Sequence, residues 1–365
     1  MEIIKIIGIV ISESIKGLWN KKFDTVTFWN RCIEVNILYT KFFQSLSGNY
    51  FFSSVHTIPY LPEEFEPTLQ VTKVIGSGLI SIVYESELNN RPVIVKTKRK
   101  HIDKRILSSI ELLEWYLEWL NWIYPIPISI IAFEEIKSCF LVQLNYKQEV
   151  KNHKHFQSIA NYSFVQTPTL IEDVCNENQI VMTKLNHKPL ILLTEDELNQ
   201  SIWKLTEMVL HLLTHHGFIH GDLHLGNILF QGENIGIVDF GFVIQLNESQ
   251  KKSMFELVKG IIFHDYESAA NHTFAFIHHE LTESEKIDVQ RFIIHVYQHS
   301  LEIQHSFSIY NFYELNTKLN QYDANFDPLF YKIVMALHSV ETLITQITKP
   351  DELALKLALL LCARS

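Results

Sequence analysis

Little in this chain of 365 residues points to a cross-linked or thiolate-bound scaffold. It has only 4 cysteines, Cys32, Cys139, Cys175 and Cys362, and no C-x-x-C pair among them. A disulfide framework and a cysteine zinc site are therefore not expected, and a reducing compartment is the simpler setting. With 12 Gly and 10 Pro, collagen-like and low-complexity classes are excluded. Basic charge is scarce too: 31 Lys and Arg stand against 41 Asp and Glu, a formal net charge of −10, which argues against nucleic acid as the default partner. No apolar run reaches the ~20 residues of a membrane-spanning helix. The run Ile3 to Ile11 is broken by Lys5, and the run Leu353 to Cys362 holds Lys356. No small-residue cleavage site follows the first run, and Glu2, with no arginine before Arg31, disfavours a transit peptide. The expectation is a cytoplasmic protein with no signal peptide or transmembrane span. Both apolar ends are read as packed helices, with a peripheral membrane contact as the alternative.

What the chain has in quantity is apolar material. Hydrophobic residues make up 47%, including 24 Phe, 14 Tyr and 6 Trp, enough for one large two-lobed domain or two ordinary ones. Residues 1–57 read as helical, and three prolines between Pro59 and Pro67 mark a connector. Short β-branched runs at 71–75, 80–84 and 92–95, divided by Gly-Ser-Gly and Asn-Asn-Arg-Pro, predict an antiparallel meander. Helix is predicted over 104–122, with a stripe of Leu107, Ile110, Leu113, Leu117 and Leu120, and Trp115, Trp119 and Trp122 are assigned to core packing. Further helix is predicted near 141–160 and over 195–216, the latter opened by a capping box of Thr194 and Glu197. Strands are predicted at 179–185, 227–230 and 235–238, with helices beyond. A small β-rich part followed by a larger helical part is an α+β arrangement.

Two segments carry the chemistry. One is His220-Gly-Asp-Leu-His-Leu-Gly-Asn-Ile-Leu229; the other is Ile237-Val-Asp-Phe-Gly241. Phosphoryl transfer needs a carboxylate to orient or deprotonate the nucleophile and oxygen ligands for a metal bridging the phosphates. Asp222 suits the first role, and Asn227 with Asp239 suit the second, because Mg²⁺ (or Mn²⁺) takes oxygen donors. Gly76-Ser77-Gly78 lies between two predicted strands, where main-chain N–H groups could approach phosphates, although hairpin turns use the same tripeptide. Lys96 closes the strand after that loop, at the place of a phosphate-binding lysine. Its neighbours Lys98, Arg99 and Lys100 allow the plainer reading of an exposed charge run. The pair His211 and His215 and the run His278-His279-Glu280 lack the order of a metal motif.

These residues resemble the UbiB family of atypical kinases, linked to ubiquinone biosynthesis and also called aarF-domain kinases. His220 to Asn227 is similar to the family's H-G-D-P-H-P-G-N, with leucine at both proline positions. Tyr39-Thr-Lys-Phe-Phe-Gln-Ser-Leu-Ser47 resembles its K-x-G-Q segment, carrying Lys41 and Gln44 but with Phe43 at the glycine position. The resemblance implies a two-lobed protein-kinase-like fold with an N-terminal helical extension: 1–67 as extension, 68–187 as the first lobe with a helical insert, and 188–365 as the second. It implies nucleotide contacts from Ile75, Gly76, Ser77, Gly78, Val83 and Lys96, a Lys96–Glu149 pair, and main-chain contacts to adenine around Thr183 to Leu185. Asp222, Lys96 and Lys41 are the implied catalytic residues. Two departures stand out: amides at Gln143 and Asn145 replace the family's E-x-D acids, and Phe43 brings an aromatic ring to the position where the family's glycine allows close helix packing.

The expected ligands are ATP and Mg²⁺. Gly221 stands where protein kinases carry an arginine, and only seven residues separate Gly241 from the next helical pattern near Ser249. That leaves little platform for a peptide, so a small-molecule or lipid acceptor, or plain ATP hydrolysis, is the expectation. The family's link to quinone and lipid metabolism comes with the resemblance. Two alternatives stay open: a nucleotide-gated binding protein without useful turnover, and a small-molecule kinase of the aminoglycoside or choline type.

Overall fold

Two consecutive asparagines in the left-handed region, Asn89 (φ 53°) and Asn90 (φ 61°), turn the chain between two eight-residue strands. Asparagine tolerates this conformation because its short amide side chain bonds locally, and such turns match the twist of the strands they join. The structure is a computed structural model. It describes residues 62–123, 137, 138, 140–232, 234–302 and 309–345, together with Lys5, Gly8, Ile9, Ile11, Ser12, Glu13, Lys16 and Arg31. Lys41, Phe43 and Gln44 lie outside the described residues. The chain forms two compact units, Met1–Arg91 with Val95–Lys137, and Pro92–Ile94 with Ser138–Ser365.

Strands β1 (Lys73–Ser77), β2 (Ser81–Leu88) and β3 (Arg91–Lys98) lie side by side in that order, and all but Pro92–Ile94 belong to the first unit. β1 and β2 are antiparallel, with Val74 opposite Tyr84 and Gly76 opposite Val83, so Ile75 sits in a bulge. Ile82, Tyr84 and Val95 are fully buried. The residues just after the connector are tied to this sheet through Tyr84, whose hydroxyl accepts from the Thr68 and Leu69 amides (3.2 and 3.3 Å). Helix α1 (Ile102–Ile123) buries Ile102, Ile106 and Ile110, a row at spacings of four. Of the predicted stripe, Ile110 is buried as expected, while Leu107 is 46% exposed and Ile106, one position earlier, takes the core in its place. Trp115 is also exposed, at 52%, and so is not a core residue.

The second unit opens its regular structure with α2 (Tyr146–Ile159). Asn145 caps it, accepting from the Gln148 amide at 3.0 Å, so the amide that stands in place of an acid here still satisfies a helix end. Strand β4 (Val165–Gln166) runs parallel to β8 (Asn234–Ile237), which pairs with β7 (Ile228–Gln231) as a hairpin. Strand β5 (Gln179–Thr183) supplies Ile180 and Met182 to a cluster with Tyr146, against which Ile94 packs. Between β5 and α3 (Glu195–His211) the residues Leu190, Ile191 and Leu192 are exposed. Helix α3 carries the predicted capping box, but it does not run straight to residue 216: Leu212–His216 is a π turn, closed by Gly217 at φ 61°.

Strand β6 (Phe218–His220) follows at once and pairs with β9 (Val243–Gln245). Beyond lie α4 (Glu248–Ile262), α5 (Tyr266–Thr273), α6 (Glu283–Glu302), α7 (Ile309–Asn320) and α8 (Pro328–Thr345), with the two-residue strands β10 (Ile277–His278) and β11 (Asn325–Phe326) paired between them. Their apolar faces meet in a core that includes Met254, Leu257, Phe276, Ile293 and Phe330, all nearly or fully inaccessible. Burying such a side chain contributes about 1.5–3 kcal/mol, so this core can hold β6 and β9 rigidly at its edge. No helix among the described residues is long and apolar enough to cross a membrane.

Candidate functional site

The loop after β6 is built by hydrogen bonds that bring two motifs to one point. The Gly221 amide donates to the Phe242 carbonyl (2.8 Å), which continues the β6–β9 pairing by one residue. The Asp222 amide donates to His220 Nδ1 (3.3 Å), and Asn227 Nδ2 donates to the Asp222 carbonyl (2.8 Å). On the other side, Ile228 faces Ile237 in the β7–β8 ladder, and the Val238 amide donates to the Asn227 carbonyl (3.1 Å). Asn227 therefore lies opposite Val238, with Asp239 one residue on. Asp222, Asn227 and Asp239, seventeen residues apart at the extremes in sequence, share one end of a single hairpin. Asn227 is buried at 7% exposure, while the Asp222 side chain is 31% exposed and open to a reactant.

Asp239 itself is held in an uncommon backbone state, φ 64°. A non-glycine residue there costs on the order of 1–3 kcal/mol and persists only where its surroundings fix it. They do so here. The Gly241 amide donates to Asp239 Oδ1 (3.2 Å), and Asn152 Nδ2 on α2 donates to the Phe240 carbonyl (2.9 Å). The Phe240 ring is 1% exposed and packs between His153 (4.6 Å between centroids), Phe156 (4.8 Å) and His220 (5.4 Å). Burial holds the His153 imidazole down at about 4, against a hydrogen bond to the Pro168 main chain that favours charge. Burial also lowers His220, opposed by the charges of Asp239 and Asp222. Both rings are neutral aromatic packing at neutral pH. Glu149 is only 4% exposed, so it is not the solvated charge that acids on helices usually are. A Cβ added to Gly241 would lie 3.2 Å from both Asp239 Oδ1 and Glu149 Oε2, which places the two carboxylates on the same side of this turn.

Among the described residues no three His, Cys, Asp or Glu side chains converge as a metal-binding group. What the hairpin end presents is one carboxylate, on Asp239, and one amide oxygen, on Asn227, whose nitrogen is committed to Asp222. That donor set fits a hard cation that keeps water and phosphate oxygens in its shell, not a closed protein cage.

In the first unit the candidate phosphate loop is fixed from below. The Gly78 amide donates to the Ser81 carbonyl (2.8 Å). Arg99 Nε donates to the Gly78 carbonyl (3.0 Å), one terminal nitrogen to Ser77 Oγ (2.9 Å) and the other to Glu64 (2.7 Å). Neither Gly76 nor Gly78 is required by crowding: an added Cβ would meet nothing nearer than 3.8 Å, and neither has positive φ. Small residues at these positions keep the loop's face clear. Ile75 (44% exposed) and Val83 flank it. Lys96 is buried at 8% and Arg99 at 5%, so the segment is not an exposed charge run; of its basic residues, Lys100 is the exposed one. Lys96 lies in the first unit and Glu149 in the second.

Strand β5 ends at Thr183, two residues short of the predicted end. The Thr183 amide donates to the Thr169 carbonyl (2.9 Å), and its hydroxyl accepts from the Thr169 amide (2.9 Å). A main-chain donor to a ligand would then come from further on, around Leu185, whose Cδ1 packs 3.0 Å from where a Gly236 Cβ would be.

The comparisons decide the family. Residues 68–273 match the ABC1 atypical kinase-like domain, more than half of the chain. The chain belongs to the ABC1 atypical kinase-like family. Among curated ABC1 relatives, it is 24% identical over 218 residues to an AarF domain-containing protein kinase 1 of Xenopus laevis, covering 56% of this chain and 41% of that one. It is 24% identical over 227 residues to a probable protein kinase UbiB of Photorhabdus laumondii (57% and 40%). It is 30% identical over 202 residues to an uncharacterized protein in the hydrogenase 1 5′ region of Clostridium pasteurianum (52% and 38%). The matches thus span about two-fifths of those relatives' lengths. Among solved structures, the complex of Rv3197 with erythromycin from Mycobacterium tuberculosis aligns over 93% of this chain and 96% of that one, at 13% identity and TM-score 0.46. The UbiB resemblance and the α+β kinase-like fold read from the sequence agree with this membership.

Three side chains had no role assigned from sequence. Arg99 was hidden among lysines; its distance from the Gly-Ser-Gly loop gives no sign that a meander returns it there. Asn152 carried no signal of its own in the sequence, and His224 entered only as a member of the His220 to Asn227 segment.

Proposed function

We propose that this ABC1-family protein binds Mg–ATP and transfers or releases its terminal phosphoryl group, using a small-molecule or lipid acceptor or water. Asn227 and Asp239 would hold the metal, which when bound neutralises charge on the phosphates. Gly76 to Gly78 and Lys96 would contact phosphate oxygens, with Glu149 pairing with Lys96 to steady it. Asp222 would accept the proton of the attacking hydroxyl or water, or orient it. The observation that carries this reading is the convergence of Asp222, Asn227 and Asp239 at one end of the β7–β8 hairpin.

The acceptor class rests on the short segment between Gly241 and α4. The Leu246 amide is bonded to the Gly217 carbonyl (2.8 Å), and Asn247 already caps α4 in a capping box with Gln250. Two residues therefore link β9 to α4, where a peptide-phosphorylating kinase needs a long docking segment. A compact acceptor fits that economy. Thermal unfolding with ATP, in Mg²⁺ and in chelator, tests the nucleotide half of the proposal. Ligand at 100 times its dissociation constant adds about 2.7 kcal/mol, or several degrees. A metal-dependent shift that is lost in Asp239→Asn is the expected result; no shift at millimolar ATP would remove the reading.

A further inference from the structure

The side chain of His224 is tied at one nitrogen and aimed by the other. Nδ1 accepts a hydrogen bond from the Gly226 amide (3.0 Å), so His224 is also the cap of the short turn Leu225–Asn227. A nitrogen that accepts from an N–H carries no proton of its own, and a neutral imidazole has one proton to place. It must sit on Nε2. Nε2 lies 4.0 Å from Asp222 Oδ2 and 3.4 Å from Asn227 Nδ2. The second neighbour is an amide NH2, which donates one hydrogen to the Asp222 carbonyl (2.8 Å) and has no lone pair to accept with, so once Nδ1 accepts from Gly226 the Asp222 carboxylate is the group of the two that can take the Nε2 proton.

From this geometry we propose that His224 is a positioning residue for Asp222, holding the carboxylate through Nε2–H so that its other oxygen faces the incoming acceptor. The proposal rests on the phosphoryl-transfer reading of this site. At 4.0 Å the contact is open; such contacts in ligand-free sites close when the reactant arrives. The arrangement parallels a carboxylate and imidazole fixing one another's rotamer, except that here the imidazole's tautomer is set by a main-chain amide. With His224 half exposed and Asp222 31% exposed, the contact would do little for folding. Its value is orientation, which can be worth orders of magnitude in rate.

Two substitutions separate the roles, because the amide group of asparagine overlays Nδ1 and that of glutamine overlays Nε2. His224→Asn keeps an acceptor for the Gly226 amide but deletes the donor toward Asp222. Its melting temperature and Mg–ATP shift should stay at wild-type values, while kcat falls about tenfold or more with KM for ATP within about twofold. His224→Gln should recover most of that lost turnover while melting a few degrees lower, because the turn has lost its cap. Equal turnover in wild type and His224→Asn would overturn the proposal. A second readout needs no turnover: long-range ¹H–¹⁵N correlation of the His224 ring above pH 8 should show the Nε2–H tautomer, and the Asp222 carboxyl carbon should shift in His224→Asn. An Nδ1–H tautomer, or an Asp222 signal blind to that substitution, would overturn the proposal. A wild-type protein that binds no nucleotide would instead refute the phosphoryl-transfer reading and leave these two signals to decide the role of His224.

Discussion

The ring of Phe242 fills the space where a side chain at Gly221 would be: a Cβ there would fall 2.3 Å from Cδ1 of that ring. The arginine that protein kinases carry at this position cannot be accommodated unless the aromatic ring leaves the core, where it is 7% exposed. The absence of a phosphate-reading arginine is thus a packing requirement of this loop. Even Gly221→Ala should overpack the β6–β9 edge, at a cost of about 1–3 kcal/mol, and lower the melting temperature by several degrees. A calorimetric scan of Gly221→Ala that superimposes on wild type would refute the contact.

Asn152 and Asp239 are linked through the Phe240 carbonyl. In Asn152→Leu that carbonyl loses its donor in a buried setting, at about 1–3 kcal/mol, and the left-handed Asp239 loses one of its restraints. The Mg²⁺ concentration giving half of the ATP-induced stabilisation should rise about tenfold, beyond any fall in the metal-free melting temperature. Titration of Mg²⁺ at fixed ATP measures it, and an unchanged midpoint would separate Asn152 from the metal site.

Replacing Asp222 by Asn preserves shape and removes the carboxylate. Turnover should fall by about 10²–10⁴ if the carboxylate takes the proton, while the Mg–ATP thermal shift stays. A pre-steady-state assay with trapped product would detect the residual rate. Wild-type turnover in Asp222→Asn would exclude it from the chemistry.

The buried histidines predict an acid-side loss of stability. His153 has a folded pKa of about 4, pushed down by burial, against about 6.5 in the unfolded chain. Between these values the unfolded chain binds the extra proton, so unfolding free energy rises with pH. Stability is complete above about 6.5 and falls through the window toward 4, by on the order of 2–3 kcal/mol for this residue. His220 is shifted in the same direction and adds to the slope. Urea unfolding between pH 4.5 and 7.5 would show it, and His153→Phe should flatten the dependence. An equal slope in that variant would mean that other groups carry it.

The sequence exposed the residues that converge at the hairpin end better than the packing around them. Asp222, Asn227 and Asp239 were legible because they lie in short spacings whose residue types have few other uses, and the hairpin that joins them is a local feature. The capping box at Thr194 was legible for the same reason. Arg99 and Asn152 act on main-chain carbonyls 21 and 88 residues away, and no local pattern reports such a partner. The strands β4, β6, β9, β10 and β11 have two or three residues each, too short for a period of two to show. On α1 the expected Ile110 is buried, but Leu107 is exposed and Ile106, one position earlier, takes its place in the core.

The link from Gly241 to α4 has a further consequence. Phe242, Val243, Ile244, Gln245, Leu246 and Asn247 include no serine, threonine or tyrosine, and pairing with β6 and capping of α4 already engage the segment. There is no hydroxyl here for another kinase to modify and no slack for a loop to swing. The on–off control that many phosphotransferases place at this point, by modifying a hydroxyl on a loose segment, has no hydroxyl to act on between Phe242 and Asn247.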